Sequence, residues 1–563
     1  MKFLQLTTIS DFVPNNEEVE YLGEWCKNDF NDNTKTFKHV FNTNTKLIDA
    51  SNLSIKIYKE ILPILKEILN DFHNLNKSEK YWEIIFGNWL LTFIQVIYER
   101  YTNISEYIKA NNEFVTITLS KESFVAPTNY SDFTNKVLAD KYNYQLYSEI
   151  LYFLGFSFST AELKKDKKQI FSNKKNVPKS LILNFINIFS KNKDNTLSSP
   201  YFSNKKNLFK FIGKIYLNDF DENFEFKFKK NLETRNMLFK HSTDNEFINL
   251  LFYLFKENFP ILYLEGFKDF RHFVLSKDYH VSKVFATANA LHNNEIYKFF
   301  IAENREKIKL ISIQHGGNYG IDTTNSVEFF ERNVSDKYLT WGWKENKKTI
   351  FSSHEKLNEK IKPKKNGNIL YLAKDPLKYL IRFQTNYNSS ANRLQYLPKQ
   401  LSFLSNITNI DNFLYRGYMQ NKNSFDITNK VKNKFPNLKI DDHSKNFHSR
   451  LREAKLFITD HVHTTYLETL AMNFPTVIFI TKEVHSFREP EYFKLLTDAK
   501  ILFYNEIECA KHVNEISESP EVWWNSDEVQ DARKKFVHQY ARTSENWVEE
   551  WIREFDNILN SEK

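Results

Sequence analysis

Short apolar runs alternate with helical patterns along the second half of this chain. The runs ILYLEG, VFATA and KLISI come first, with a helical pattern near residues 289–306 before the last of them. Six further runs follow residue 367, separated by helical patterns near 390–404, 445–454, 464–472 and 489–497: NILYLA, NFLYRG, LKIDD, KLFITD, TVIFI and ILFYN. This alternation is typical of βαβ units, whose strands form parallel sheets. The sequence therefore predicts an α/β fold with a Rossmann-like sheet in each of two halves.

The first 260 residues have a different pattern. After two strand candidates, KFLQLTTI and VEYLGEW, apolar residues recur with a period near 3.6, as in 55–72 and 82–101, which indicates helices. The polar, lysine-rich stretch 344–367 is typical of a linker. We therefore predict a helix-rich N-terminal domain over 1–343 and a second domain over 368–563. The pattern at 528–559, with Trp547, Trp551 and Phe555 on one face, predicts a long terminal helix.

The charge and cysteine content exclude several protein classes. The 563 residues include 78 Lys and Arg against 70 Asp and Glu, a net charge of +8, which is too mild an excess for a nucleic-acid binder. Cys26 and Cys509 lie far apart and neither belongs to a CxxC motif, so we expect no disulfide framework. The longest nearly apolar run, Trp89 to Tyr98, is too short to span a bilayer, and no signal peptide is visible. These features predict a cytoplasmic protein.

Glycine is scarce in this chain, with 11 residues in all, yet four of them cluster within 27 positions: Gly316, Gly317, Gly320 and Gly342. The strand KLISI runs directly into this cluster through Gln314 and His315. An imidazole at the carboxyl end of a strand can act as a general base near neutral pH. The alternative is a buried histidine that only satisfies a turn. The carboxylates Glu328, Glu331 and Asp336 follow, and we take Glu328 as a second catalytic candidate.

The second candidate region follows the strand KLFITD. His461 and His463 precede Thr464 and Thr465, and Glu468 comes about three positions later, which predicts a capping box at a helix N-terminus. Such an end can bind the phosphate of a nucleotide, although capping alone would also explain these residues. Arg416 ends the strand NFLYR, where its guanidinium could pair with phosphate or lie in solvent.

Two motifs could indicate a metal ion. His461 and His463 form an HxH pattern beside Asp460, and Asp219 and Asp221 form a DxD pattern. No third-ligand motif stands near the HxH pair, and a DxD is short and common by chance. We therefore predict no metal site.

Several segments together resemble a family of transferases found among O-antigen and surface-polysaccharide biosynthesis proteins. They are LGEWC (22–26), LNDFHNLNKSEKYWEIIFGNWL (69–90), QHGGNYG (314–320), SDKYLTWGW (335–343), TDHVHTTYLETLAMNFPTVIF (459–479) and WW (523–524). The QHG and strand-loop-helix elements are also similar to those of glycerophosphotransferases and of Kdo- or sialic-acid-type transferases. Gly317 and Asn318 stand where glycerophosphotransferases have proline and threonine, which disfavours a glycerophosphate donor.

The resemblance implies a GT-B-like fold, with two Rossmann-like domains facing a cleft, and a sugar transfer from a nucleotide donor to a glycan or lipid-linked glycan. It implies His315 as base or oxyanion contact in an N-terminal acceptor domain, Thr464 and Thr465 on phosphate, and Glu468 on the nucleotide ribose. From the residues themselves we add Arg416, His461 and His463 to the donor-binding set. We expect no cofactor and no metal, because the helix dipole, Arg416 and the hydroxyls can stabilise the leaving phosphate. Peripheral contact with the inner face of the membrane is compatible with the Lys and aromatic content. Two alternatives are a nucleotide-sugar epimerase of the same architecture and a non-enzymatic polysaccharide-binding or assembly protein.

Overall fold

The computed structural model describes residues 2–14, 17–27, 32–111, 113–163, 172–173, 177–202, 205–386, 396–417 and 424–560. Nine short strands lie in the first 225 residues: β1 Lys2–Gln5, β2 Val19–Tyr21, β3 Phe114–Val115, β4 Ile117–Leu119, β5 Ser159–Ala161, β6 Ser172–Asn173, β7 Asn192–Ser198, β8 Ile215–Leu217 and β9 Phe224–Glu225. The helices up to residue 275 are α1 Asn44–His73, α2 Glu79–Trp82, α3 Asn88–Ala110, α4 Tyr130–Lys136, α5 Asp140–Phe153, α6 Val177–Ile188, α7 Leu232–Leu238, α8 Glu246–Asn258 and α9 Phe267–Leu275.

Helix α3 is the centre of a large N-terminal helical layer. Its side chains are buried on nearly all sides, Trp89, Phe93 and Ile97 among them, as expected of a helix surrounded by others. Helix α1 packs against it and buries one stripe, including Ile57, Ile61 and Leu65. Strands β1, β2 and β3 form a small parallel sheet at the edge of this layer.

The first large sheet has six parallel strands. It adds four strands to β7 and β8: β10 Val284–Thr287, β11 Lys309–Ile313, β12 Lys337–Thr340 and β13 Thr349–Phe351. The helices between them are α10 Ala290–Asn293, α11 Glu295–Asn304 and α12 Ser326–Val334. The strand order is β13-β12-β11-β10-β7-β8, so the chain reverses its direction of travel between β7 and β10. Ligands of such sheets bind outside the carboxyl ends of the strands at this switch point.

The second large sheet has six parallel strands in the order β16-β15-β14-β17-β18-β19. Its strands are β14 Asn368–Leu372, β15 Phe413–Arg416, β16 Lys439–Ile440, β17 Ala454–Thr459, β18 Thr476–Phe479 and β19 Leu502–Phe503. The remaining helices are α13 Tyr396–Ser405, α14 Ile427–Lys434, α15 Phe447–Leu451, α16 Thr465–Ala471, α17 Pro490–Asp498, α18 Glu506–Ile516, α19 Pro520–Trp524, α20 Asp527–Tyr540 and α21 Trp547–Asn560. This order is that of a Rossmann sheet, with its switch point between β14 and β17.

The two sheets confirm the predicted GT-B-like α/β class, and all six runs predicted after residue 367 contain a strand. The run ILYLEG is not a strand, because Ile261–Tyr263 form a 3₁₀ turn buried in the helical layer. A five-residue apolar run fits either a buried strand or a buried helical turn, so periodicity could not separate them. Strand β7 was missed because its sequence, NKDNTLS, contains almost no apolar residues.

The C-terminal part of the chain differs from the prediction in two places. The predicted linker 344–367 contains β13, which pairs with β12 and extends the first sheet. The predicted long helix is two helices, α20 and α21, broken at residues 541–546. Helix α20 packs in the second half, whereas Trp547, Trp551 and Phe555 of α21 pack on the first sheet. The chain thus crosses back, and its last helix completes the core of the first half.

Within the part of the chain that the structure describes, every helix is too short or too polar to pass through a lipid bilayer.

Candidate active site

A cavity of about 650 Å³ lies between the carboxyl ends of the two large sheets. Tyr201 and Asn289, which follow β7 and β10, line the cavity, so the switch point of the first sheet opens into it. Leu372 and His461, at the ends of β14 and β17, also line the cavity, so the switch point of the second sheet opens into it. Both topological switch points therefore open into one cleft.

The glycine loop after β11 forms one wall of this cleft and touches the other wall. The Gly317 N–H donates to Thr464 Oγ1 at 3.1 Å, and a Cβ on Gly317 would lie 2.0 Å from the carbonyl oxygen of His463. Glycine is required here by the close approach of two backbones. At Gly316 a Cβ would meet the ring of Tyr319 at 2.7 Å.

Gln314 and Gly320 hold the loop in shape. The Gln314 side chain is fully buried, accepts from the Trp341 N–H and the Trp343 indole, and donates to the Gly316 carbonyl. Gly320 has a φ of +73° and packs against the Trp343 ring. These two predicted loop residues therefore position the backbone around His315.

His315 projects into the cleft and shares a carboxylate with a second histidine. Its Nε2 lies 2.8 Å from Glu331 Oε1 and 3.0 Å from the Tyr319 hydroxyl. His292, in α10 just after β10, hydrogen-bonds to the same Glu331 oxygen, and the Tyr338 hydroxyl donates to Oε2 at 3.0 Å. No described residue hydrogen-bonds to His315 Nδ1, so this nitrogen is available to a molecule in the cleft.

The electrostatics of this cluster keep Glu331 ionised. Burial alone would raise its pKa, but the imidazoles of His315 and His292 outweigh burial and hold the pKa at about 2. Burial lowers the pKa of His292. A charged carboxylate behind an imidazole orients the ring and stabilises it when it accepts a proton. In this arrangement His315 can accept a proton while Glu331 balances the charge that forms.

The catalytic role that we predicted for Glu328 conflicts with its position. Glu328 is buried beside the cleft, where it accepts from the Gly320 N–H and forms salt bridges with Arg332 and Arg488. Three cationic or N–H donors saturate its oxygens, so it stabilises the loop. Asp336 pairs with Arg305 and the Leu310 N–H. Glu331, one helical turn after Glu328, is the carboxylate that reaches His315.

The predicted capping box is absent at the start of α16. Thr464 is the N-cap residue, but its hydroxyl bonds to Gly317 across the cleft instead of capping the helix. Glu468 turns away from the helix end because Lys356 and His448 bind its two oxygens, at 3.0 and 2.7 Å. Burial disfavours the charged amine, but Glu468 outweighs it and raises the pKa of Lys356.

The other donor-side residues divide between the cleft and its surroundings. His461, His463, Thr464, Thr465 and Glu468 all line the cavity. Burial lowers the pKa of His463 to about 3, so this imidazole is neutral at physiological pH.

Arg416 does not line the cavity. It lies one strand beyond the switch point, at the end of β15, where it pairs with Asp441 and the Lys445 carbonyl. Its contact with phosphate stays a prediction, and in the structure Arg416 shares the Asp441 carboxylate with Arg450.

Two cations of the cleft were missed by the sequence analysis. Lys356 lies in the predicted linker, just after β13. Arg382 lies in the segment 373–386, which leaves the second sheet and docks Tyr379, Leu380 and Phe383 on the helical layer. Arg382 donates to the Tyr130 hydroxyl, and its Nε has no hydrogen-bond partner among the described residues. Lys356 follows a strand of only three residues and Arg382 lies ten positions after β14, so no local pattern marked them.

A metal ion could be held by one group of described side chains. The ligand atoms of His292, His315 and Glu331 all lie within 4.8 Å of one another. The absence of a metal remains a prediction from the sequence. Asp219 and Asp221 follow β8, outside any helix, and line a different cavity of about 310 Å³.

Asp322 ties the glycine loop to segment 373–386 and makes stability depend on pH. It is fully buried and accepts from Asn386 and Asn318 through Oδ2, and burial raises its pKa from 3.8 to about 7. Because its pKa is raised in the folded state, protonated Asp322 contributes fully to the free energy of unfolding below about pH 4. This contribution is lost as the pH rises to about 7, and the free energy of unfolding falls by up to about 1.4 kcal/mol per pH unit over this range. Asparagine does not titrate, so we expect the stability of Asp322→Asn relative to the native chain to be about 2 kcal/mol higher at pH 8 than at pH 5.

Urea denaturation of both proteins at the two pH values measures this difference. Asp498→Asn, on an exposed helix, is the control and should follow the native chain. Parallel pH profiles for Asp322→Asn and the native chain would contradict the assignment.

A family model decides where this chain belongs. The model of the LIC12162 family transferase matches residues 2–555. The chain is a member of this transferase family. No curated protein matches this LIC12162 family member in sequence.

Solved structures show remote likeness to the LIC12162 family member. S. aureus TarM, as a mutant in complex with Fondaparinux, alpha-GlcNAc-glycerol and UDP, aligns at 12% identity over 51% of this chain and 58% of TarM, with a TM-score of 0.33. Acinetobacter baumannii MurG aligns at 11% identity over 64% of this chain and 99% of its own, with a TM-score of 0.32. The UDP-GlcNAc 2-epimerase of Methanocaldococcus jannaschii aligns at 8% identity over 53% of this chain and 82% of the epimerase, with a TM-score of 0.27. The chain spans little more than half the length of TarM.

Proposed function

We propose that the protein transfers a sugar from a nucleotide-activated donor to a surface-glycan acceptor of O-antigen or capsule type. One observation carries the proposal: the His315–Glu331 pair and the cation Lys356 face one cavity between two parallel sheets. The family description supports a transferase. A cytoplasmic location at or near the inner membrane face, where nucleotide sugars and lipid-linked glycans meet, is part of the proposal.

The donor phosphates bind on the second-sheet side of the cleft. Among the described lining residues, the cations are Lys356 and Arg382 and the one carboxylate is Glu468, so the cleft favours an anion. The hydroxyls of Thr464 and Thr465 supply neutral hydrogen bonds beside Lys356. Glu468 serves the donor by holding Lys356 in place, since both its oxygens are already engaged.

His315 acts as the base toward the acceptor. Its Nδ1 takes the proton of the acceptor hydroxyl while the acceptor oxygen bonds to the anomeric carbon of the sugar. The bond from that carbon to the phosphate oxygen breaks, and its electron pair leaves with the nucleotide. Glu331 stabilises the imidazolium, and Lys356 and Arg382 stabilise the leaving phosphate. With positive charge from these two side chains, the reaction as proposed uses no metal ion and no further cofactor.

Calorimetry of the full-length chain with UDP, GDP, CDP and CMP tests the donor side. We expect one nucleotide to bind best, and Lys356→Met to weaken it about 10- to 100-fold, since a charge-assisted hydrogen bond contributes about 1.5 to 3 kcal/mol. Lys360→Met, an exposed neighbour, should bind as the native chain does.

The outcomes separate the alternatives. Failure of every nucleotide to bind would favour a non-enzymatic polysaccharide-binding or assembly protein. Conversion of the nucleotide sugar to an epimer with no acceptor present would replace transfer by epimerisation.

A further inference from the structure

A set of large apolar side chains is exposed on the edge of the first half, and we call it the apolar ledge. The ledge comprises one face of α6 with the residue after it, and the last part of the 3₁₀ helix Lys205–Phe211 with the turn after it. Its members are Leu181, Phe185, Ile188, Phe189, Phe209 and Ile212. Ile188 and Leu181 are 76% and 63% exposed, far more than isoleucine and leucine in a packed domain.

The ledge is continuous. Phe185 and Phe189 meet edge to face at 5.4 Å, and the Phe189 carbonyl lies 3.8 Å from the Cβ position of Gly213, next to Ile212. The opposite face of α6 packs Leu183 and Ile186 on the core that contains Trp547. Helix α6 is therefore apolar on both faces, a pattern found where a helix is buried on all sides or borders a membrane.

The segment that carries the ledge is basic, while Asp219, Asp221, Glu222 and Asp278 line a cavity beside Asn184 and Asn187 of α6. Residues 177–214 contain seven lysines and a single acidic residue, Asp194, which pairs with Lys283. Lys191, Lys193, Lys206 and Lys210 are exposed beside the apolar side chains. Exposed lysines beside apolar side chains complement an anionic surface better than a second copy of the same basic segment.

We propose that the apolar ledge docks the protein on an anionic lipid bilayer. Apolar side chains enter the boundary between headgroups and acyl chains, while lysines around them meet the anionic headgroups. The ledge lies close to the cleft, because Phe202 stacks on Phe211 beside the ledge and the adjacent Tyr201 lines the cavity. The proposal identifies a surface for the membrane location that is part of the proposed function, and its test by lipid binding is separate from any test of sugar transfer.

Co-sedimentation of the full-length chain with vesicles tests the docking. Vesicles of phosphatidylcholine with one-third phosphatidylglycerol are compared with vesicles of pure phosphatidylcholine at low salt. We expect binding to the anionic vesicles and at least about tenfold weaker binding for the double variant Phe185→Ser, Ile188→Ser. Val522→Ser is the matched control, because Val522 is 75% exposed on the second half.

A charge variant tests whether the lysines around the apolar ledge recognise anionic headgroups. Lys191→Glu with Lys193→Glu should abolish the preference for anionic vesicles while the melting temperature stays unchanged, since both side chains are exposed. Absence of binding to the anionic vesicles, or native-like binding of the Phe185, Ile188 double variant, would overturn the proposal. Capture by immobilised polyglutamate without binding to vesicles would also overturn it and indicate an acidic protein partner.

Discussion

Replacing His315 with alanine is expected to lower turnover by about 10²- to 10⁴-fold, the usual contribution of a general base. The fold should tolerate the change, because the buried Glu331 keeps His292 and the Tyr338 hydroxyl as partners. Nucleotide affinity should also stay close to native, since the described hydrogen bonds of His315 go to Glu331 and Tyr319 and not to Lys356 or Thr464. Turnover is measured as nucleotide release from the nucleotide sugar that calorimetry selects, with the glycan acceptor present.

The partner residue gives an independent readout. Glu331→Gln keeps the shape of the carboxylate but removes the negative charge behind His315. We expect a comparable fall in turnover, because the imidazolium that forms in the reaction loses its counter-charge. His272→Ala, an exposed histidine of α9, is the control. Native turnover by a well-folded His315→Ala protein would show that His315 is not the base and would leave Glu331 as the candidate.

Replacing Gly317 with alanine is expected to disable both binding and turnover. The new Cβ would lie 2.0 Å from the His463 carbonyl oxygen and 2.8 Å from the Thr464 Cα, and both are backbone atoms that cannot rotate away. The two walls of the cleft must then separate, with loss of the Gly317–Thr464 hydrogen bond. We expect nucleotide affinity to fall at least about tenfold and stability to fall by about 1 to 3 kcal/mol, as in other overpacked sites.

The variant Gly155→Ala is the control, because it introduces backbone strain without a steric clash, whereas Gly317→Ala introduces a clash between the two walls of the cleft. Gly155 has a φ of +84° and nothing within 4 Å of its Cβ position, so alanine there costs about 1 to 2 kcal/mol without touching the cleft. Calorimetry and thermal unfolding of the two variants give the comparison. Native nucleotide binding by Gly317→Ala would contradict the contact between the two walls.

The fold could be predicted from the sequence because most strands of both sheets are buried and apolar. The strand β7 shows the limit, since its polar sequence pairs centrally with β10 and β8 and only the tertiary structure reveals it. The position of His315 at a strand end could also be predicted, because the glycines after it mark the loop.

The partners of His315 could not be predicted in the same way. Glu328 and Glu331 are one helical turn apart, and only the packing of α12 decides which of them faces the imidazole. Arg416 pairs with Asp441, 25 positions further along the chain, and Lys356 lies in a stretch whose composition predicted a linker. Such pairings are made by residues distant in sequence, so local patterns contain no information about them.

The return of the chain at residues 541–546 affects the order in which the protein can fold during synthesis. Residues of the first sheet, among them Leu197, Val284 and Ile311, share a core with Trp547, Trp551 and Phe555. The ribosome makes these aromatic residues more than 200 positions after Ile311. Until then the part of this core that α21 covers is exposed, although α6 and the 3₁₀ helix Lys205–Phe211 contribute Leu183, Ile186, Leu208 and Phe211 to it. We therefore expect a chain truncated before α21 to aggregate instead of folding as a separate domain.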